Sequence, residues 1–150
     1  MVLRLSTIGC ALLALTSCIS GPRLDAPDGF LQLRETPTDY KATTADGARL
    51  WARQFEDRDE GTLAFWADAL EHDLIRNRGY ELIDRTPTAN AAGLEGVLQR
   101  YRVHTDGAPH GYLIAVFADH GTIRTVEFLA PSAVYDAHED AVRTAITTLR

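Results

Sequence analysis

The chemistry available to this chain is best judged first from its five histidines. His104 and His110 sit symmetrically about Asp106-Gly107-Ala108-Pro109, a spacing that would let two imidazoles face each other across a hairpin. With Asp106 they could ligate zinc, but such a site wants about three or four ligands, each held in orientation by further hydrogen bonds. Spacing places no other histidine there. A solvated turn that keeps a sheet edge soluble is the stronger reading, so no metal is assigned and His104 and His110 stand as candidates. His138-Glu139-Asp140 and His72-Asp73 invite an acid–base reading. Consecutive positions on a helix do not share a face, so neither set converges by itself. Ser132 lacks a nucleophile elbow and fits helix N-capping instead. Gly93-x-x-Gly96 lacks the strand–loop–helix context of a phosphate loop. No catalytic residue and no cofactor is assigned.

The other nucleophile is a thiol. Residues 1–17 (MVLRLSTIGCALLALTS) carry a basic start at Arg4, an apolar stretch from Leu5 to Leu15, and small residues before Cys18. That is the layout of a secretory signal peptide, and the apolar run is shorter than the roughly 20 residues a membrane span needs. Leu15-Thr16-Ser17-Cys18 resembles the bacterial lipobox, whose cysteine receives diacylglycerol before cleavage. The resemblance implies lipid attachment at Cys18, with more than one acyl chain and therefore stable anchoring in the bilayer. Ile19 in place of Asp resembles the pattern passed on to the outer membrane, so the expected address is the periplasmic face of that membrane. Residues 18–29 hold two prolines and two glycines and are expected to be a lipidated tether reaching roughly 30 Å when extended.

Cleavage before Cys18 leaves 133 of the 150 residues, enough for one domain over residues 30–150. The second cysteine, Cys10, goes with the signal, so the mature domain must hold by packing rather than by a disulfide. Losing Arg4 takes the formal charge from −6 to −7. An acidic domain argues against nucleic acid as a partner and against a polybasic membrane patch.

Elements able to position side chains follow from periodicity. Phe30–Arg34 alternates as a first strand. Tyr40–Thr44 and Ala48–Phe55 flank Asp46-Gly47, a tight-turn dipeptide. Glu60–Arg78 carries Leu63, Trp66, Leu70 and Leu74 as an apolar helical stripe, with stop signals at Arg76, Arg78 and Gly79. Tyr80–Asp84 resumes a strand, and the stretch with Pro87, Asn90 and Gly93 is expected as loop. Gly96–His104, Gly111–Phe117 and Ile123–Leu129 form a meander turning at Asp106–Pro109 and Asp119–Gly121. Tyr112–Phe117 is apolar enough for a strand covered on both faces. A last helix opens at Pro131-Ser132 and runs to about Leu149, with Tyr135, His138 or Glu139, Val142, Ile146 and Leu149 on one face.

This order, β, ββ, α, β, βββ, α, predicts an α+β fold, an antiparallel sheet packed by helices. Leu63–Leu70 followed by Gly79-Tyr80, then Gly93–Gly96, Gly111–Phe117 and Val126–Pro131 leading into the final helix, resemble the PsbP/Mog1-like α/β/α sandwich, which includes bacterial lipoproteins. The resemblance covers about residues 30–149. It implies a scaffold for assembly or accessory binding and carries over no catalytic residue.

Trp51, Phe55, Phe65, Trp66 and Tyr80 fall on the hairpin, the helix and the following strand, where they could meet. Trp66 belongs to the core stripe; Phe65 lies off it. With Trp51 or Phe55 on the surface it would form an apolar patch that marks a partner site. The leading expectation is a non-enzymatic, membrane-anchored envelope lipoprotein that binds or helps assemble an envelope protein partner. A periplasmic small-ligand carrier with an apolar cleft between sheet and helix is the alternative. A metal-dependent hydrolase centred on His104 and His110 comes third.

Overall fold

The computed structural model describes residues 21–33 and 39–150; the signal segment, Cys18 and the end of the first expected strand lie outside the described residues. The observed elements are β1 (Leu31–Gln32), β2 (Asp39–Thr43), β3 (Arg49–Glu56), α1 (Leu63–His72), β4 (Glu81–Ala89), β5 (Glu95–Thr105), β6 (Ala108–Asp119), β7 (Thr122–Pro131) and α2 (Ser132–Thr147). They build a seven-stranded antiparallel sheet in the order β1-β2-β3-β7-β6-β5-β4. The fold class and element order expected from the sequence are those observed.

Each sheet face buries what alternation assigns to it. One face, formed by Leu50, Ala52, Leu98, Leu113, Ala115, Phe117, Val126 and Phe128, packs under Tyr135, Val142, Ala145 and Ile146 of α2. On the other, Tyr101, Tyr112, Ile114, Val116 and Ile123 meet Ala67, Leu70 and Leu74 from α1 and the turn after it. Tyr112–Phe117 is therefore buried on both sides, as its apolar run predicts.

Tight turns set the register of the meander. Asp106 and Gly107 both have positive φ (52° and 77°), and Thr105 pairs with Ala108 across them. This two-residue turn has the hand of sheet twist and favours Asp-Gly. The four-residue turn expected at Asp106–Pro109 is thus shorter, and Pro109 lies in β6 opposite His104.

Several boundaries move for identifiable reasons. α1 begins at Leu63 rather than Glu60, because Glu60 adopts φ +50° and Thr62 is the N-cap, its Oγ1 accepting from Phe65 N at 3.2 Å. Beyond His72 the helix widens into one π-helical turn, Asp73–Asn77, closed by Arg78 N donating to Asp73 O. Pro87 is not in a loop: β4 runs through it, and the strand tolerates proline because it is the edge of the sheet. α2 is not capped by Ser132. β7 runs directly into the helix, so the cap position falls on Pro131, which has no side-chain acceptor.

The expected tether also changes. Residues 21–29 are not free chain: Pro22, Leu24 and Pro27 are buried. Arg23 and Arg150 exchange backbone hydrogen bonds of 3.0 and 2.9 Å, and Asp25 N donates to Thr148 Oγ1 at 2.9 Å. Apolar Leu24 and Phe30 insert beside α2, and that burial outweighs the chain entropy a Pro/Gly stretch would keep.

Asp57 ties α1 to the end of β3. Its carboxylate accepts from Trp66 Nε1 at 2.8 Å, Gly61 N at 2.6 Å and Asp59 N at 3.1 Å. The bond from Trp66, assisted by the two backbone donors, holds its pKa below the usual carboxylate value. The folded state therefore binds this proton less readily than the unfolded chain. The stabilisation is present above the unfolded pKa of about 3.9 and is lost as pH falls through the folded value. Asp57→Asn is expected to be less stable than wild type in urea titrations at about pH 6, with the gap closing toward about pH 2. A gap that stays constant with pH would exclude this role.

Candidate functional site: an open half of the sheet

α1 packs across β5 and β6 and meets β3 where Trp66 contacts Phe55. Among the described residues no element covers the same sheet face over β1, β2 and the first half of β3. The side chains that alternation places there are Leu31, Leu33, Asp39, Lys41, Thr43, Arg49, Trp51 and Arg53. Of the five large hydrophobic side chains left exposed among the described residues, four belong to this side of the molecule: Leu31 at 71%, Leu33 at 46%, Phe55 at 39% and Phe65 at 59%.

At its centre is Trp51. Lys41 Nζ lies 4.5 Å and Arg53 Cζ 4.2 Å from its ring centroid, both within cation–π range. Lys41 is directly opposite Trp51 in the register, and Arg53 follows it two residues along the same strand face. The ring is half-buried and its Nε1 is enclosed without an acceptor among the described residues. Leu33, Lys41, Thr43, Arg49 and Trp51 line a shallow depression of about 210 Å³.

Arg53 also pairs with Glu127 on β7, which accepts a second hydrogen bond from Tyr112 Oη at 2.9 Å. Burial, and then the neighbouring Glu127 carboxylate, push the Tyr112 pKa well up, so the phenol stays a neutral donor. Glu127 is thus committed within the protein. Lys41 and Arg49 have no carboxylate partner among the described residues.

The aromatic residues singled out in the sequence separate into three places. Phe55, Phe65 and Trp66 meet edge-to-face, with centroids 5.8 and 5.6 Å apart. Trp51 stands apart with its two cations. Tyr80 joins Tyr101 and Tyr112, at 6.2 and 5.3 Å, under the π-helical turn. The cluster is therefore partly core and partly surface: Trp66 packs with Val116 and Ile123, while Phe65 is exposed.

The histidine candidates do not come together. His104 pairs with Pro109 and His110 with Val103, so the two imidazoles occupy adjacent ladder positions and leave the sheet on opposite faces. The expectation that they face each other is corrected by the one-step register that the two-residue turn imposes. Among the described residues no three His, Cys, Asp or Glu side chains are grouped to hold a metal. His138 and Glu139 diverge, His138 Nε2 lying 3.2 Å from Asp46 Oδ2 and Glu139 bonding Arg100 and Arg143. His110 and Ser132 line a cleft of about 230 Å³ between β5 and α2 with Arg100, Tyr135, Asp136 and Glu139. Its walls mix Ile83, Tyr101 and Tyr135 with charged Arg100, Asp136 and Glu139, so it differs from the apolar cleft expected of a carrier.

Solved structures share this fold. Cyanobacterial PsbP (CyanoP) from Synechocystis matches with a TM-score of 0.62 over 95% of this chain and 96% of that one, at 14% identity. The fold is PsbP-like. LpqN of Mycobacterium tuberculosis, described as involved in cell envelope biogenesis, matches at a TM-score of 0.65 and 14% identity, covering 84% of this chain and 81% of LpqN. PA94 of Pseudomonas aeruginosa, of unknown function, matches at 0.61 and 17% identity over 81% and 96% of the two chains. No family model matches the chain, and no curated protein sequence does. Among the described residues no helix is long and apolar enough to cross a membrane.

Lys41, Arg49 and the exposed Leu31 and Leu33 were not singled out by sequence reasoning. The signal was available in β3, where Arg49, Trp51, Arg53 and Phe55 alternate with the buried Leu50 and Ala52. That face carries arginines and aromatics, residue types enriched at the centres of protein interfaces, opposite a core face.

Proposed function

We propose that this protein is a non-enzymatic accessory lipoprotein of the bacterial envelope, anchored through Cys18 at the periplasmic face of the outer membrane, whose open sheet face holds a protein partner. The observation that carries the reading is Trp51 between two cations on a sheet half that α1 leaves uncovered, edged by exposed Leu31, Leu33 and Phe65. Exposed apolar side chains grouped on one side of a small acidic domain are the usual mark of a partner surface, and tryptophan and arginine are the residues such surfaces use as anchors. LpqN, with the same fold, is described as acting in cell envelope biogenesis, which supports an envelope role. The signal-like segment, the lipobox-like Leu15–Cys18 and Ile19 support the anchor and the address.

Two arms test the proposal in intact cells. The Cys18→Ser protein is expected to leave the membrane fraction; continued partition with membranes would refute the anchor. A photocrosslinking amino acid at position 33 or 65 is expected to give a discrete adduct that Trp51→Ala abolishes. The same label at Asp140, on α2, is expected to give none. Equal labelling from all three positions would refute a dedicated face.

A further inference from the structure

The proposed holding role leaves the partner's chemistry open, and the following inference rests on that reading. We infer that the occupant of the open face is an extended, acidic segment of a partner protein, with apolar side chains alternating with carboxylates. The chain as a whole carries a formal charge of −6. The face around Trp51 runs against that sign: Lys41, Arg49 and Arg53 stand within one ladder step or two of the indole, against two carboxylates, Asp39 opposite Arg53 and Glu127, which is occupied by Arg53 and Tyr112. Two cations, Lys41 and Arg49, are thus left for an outside anion. Concentrating positive charge on one patch of an acidic protein selects for acidic partners and against basic ones.

Geometry argues for an extended occupant. Arg49, Trp51 and Arg53 are successive same-face residues of β3, spaced about 7 Å apart. Same-face side chains of a partner in extended conformation repeat at that interval. One of its apolar side chains can therefore seat in the depression lined by Leu33 and Trp51 while its carboxylates fall beside Lys41 and Arg49. The enclosed Trp51 Nε1, a donor without an acceptor among the described residues, would gain a carboxylate oxygen if Lys41 swings toward the ligand. An anionic lipid surface fits less well. The same side of the molecule ends in Glu56, Asp57, Asp59 and Glu60, against the single Arg58, and an anionic bilayer would repel that run.

The test uses the mature lipidated protein in nanodiscs of neutral phosphatidylcholine. Its probe is a dye-labelled peptide, Asp-Leu-Glu-Leu-Asp-Leu, followed by fluorescence anisotropy. Saturable binding is expected, weakened about tenfold or more by Lys41→Glu/Arg49→Glu and by replacing the peptide's acids with Asn and Gln. The charge-reversed variant is expected to bind Lys-Leu-Lys-Leu-Lys-Leu instead, which a misfolded variant would not do. Equal affinity for acidic and neutral peptides, or no binding, would overturn the inference. So would binding of the soluble Cys18→Ser protein to phosphatidylglycerol vesicles, or self-association, either of them abolished by the same two substitutions. If crosslinks from position 33 in cells survive Lys41→Glu/Arg49→Glu, the holding role stands and the acidic partner falls.

Discussion

Gly111→Ala is expected to lower the melting temperature by about 10 °C, corresponding to roughly 3 kcal/mol for a domain of this size. A Cβ built at Gly111 would lie 2.2 Å from Tyr135 Cγ and 2.4 and 2.6 Å from the two Cδ atoms, far inside contact distance. The ring has little room to shift, because it also stacks on Phe128 with centroids 4.9 Å apart, and Phe128 is fully buried. The remaining relief is to lift the first turns of α2 off the sheet. A gain of roughly 0.4–1 kcal/mol from stiffening the unfolded chain offsets little of this. Calorimetry of Gly111→Ala, Tyr135→Leu and the double variant would check the account. The double variant should cost clearly less than the sum of the two, and strict additivity would show that the strain lies elsewhere.

The second large effect is expected at Gln99, which is fully buried in the middle of β5. Its Nε2 donates to Ala67 O of α1 at 2.8 Å, and its Oε1 accepts from Tyr101 Oη at 2.9 Å. This amide is the polar bolt between the sheet and α1. Gln99→Leu keeps the volume but strands the Tyr101 hydroxyl, which burial holds in its neutral form. Leaving such a donor unsatisfied costs about 1–3 kcal/mol, so a loss of about 2 kcal/mol is expected in chemical denaturation. Adding Tyr101→Phe should recover much of it, since an apolar pair needs no partner. A double variant no more stable than Gln99→Leu would argue against this account.

The elements of the fold were legible because each carries a local signal. Leu63, Trp66 and Leu70 mark α1 and Leu74 the π-helical turn after it, the apolar run Tyr112–Phe117 marks the two-sided central strand, and Asp-Gly pairs mark two turns. What failed was whatever depends on register or on contacts distant in sequence. One residue of turn length separates a facing histidine pair from His104 and His110 on opposite faces. Pro87 reads as a breaker until its strand is known to be an edge. The 21–29 segment has tether composition, and its docking depends on Thr148 and Arg150 at the other end of the chain. The open face was half legible. The alternation of Trp51 and Arg53 in β3 is visible in sequence, but their exposure depends on α1 lying over β5 and β6 and leaving β2 bare. Lys41 gains its contact only through its register position opposite Trp51.

On the proposed anchor at Cys18, the backbone exchange between Arg23 and Arg150 would set a standoff distance. Between Cys18 and the packed Pro22 lie three residues, which extended span about 10–14 Å. With a lipid on Cys18, the domain would ride close over the headgroups instead of swinging on a long leash. The end bearing Asn90–Gly93 and Asp119–Gly121 would face the bilayer, because Ala91 N donates to Thr147 O near that exit and Gly96 pairs with Phe117, which puts both turns at one end of the sheet. β3 would then stand upright, with Phe55 low and Trp51 about 13 Å higher. A partner chain would have to reach that height within a shallow layer above the membrane. Lengthening residues 19–21 by a flexible insert should therefore change which partners can be reached without altering the domain's stability.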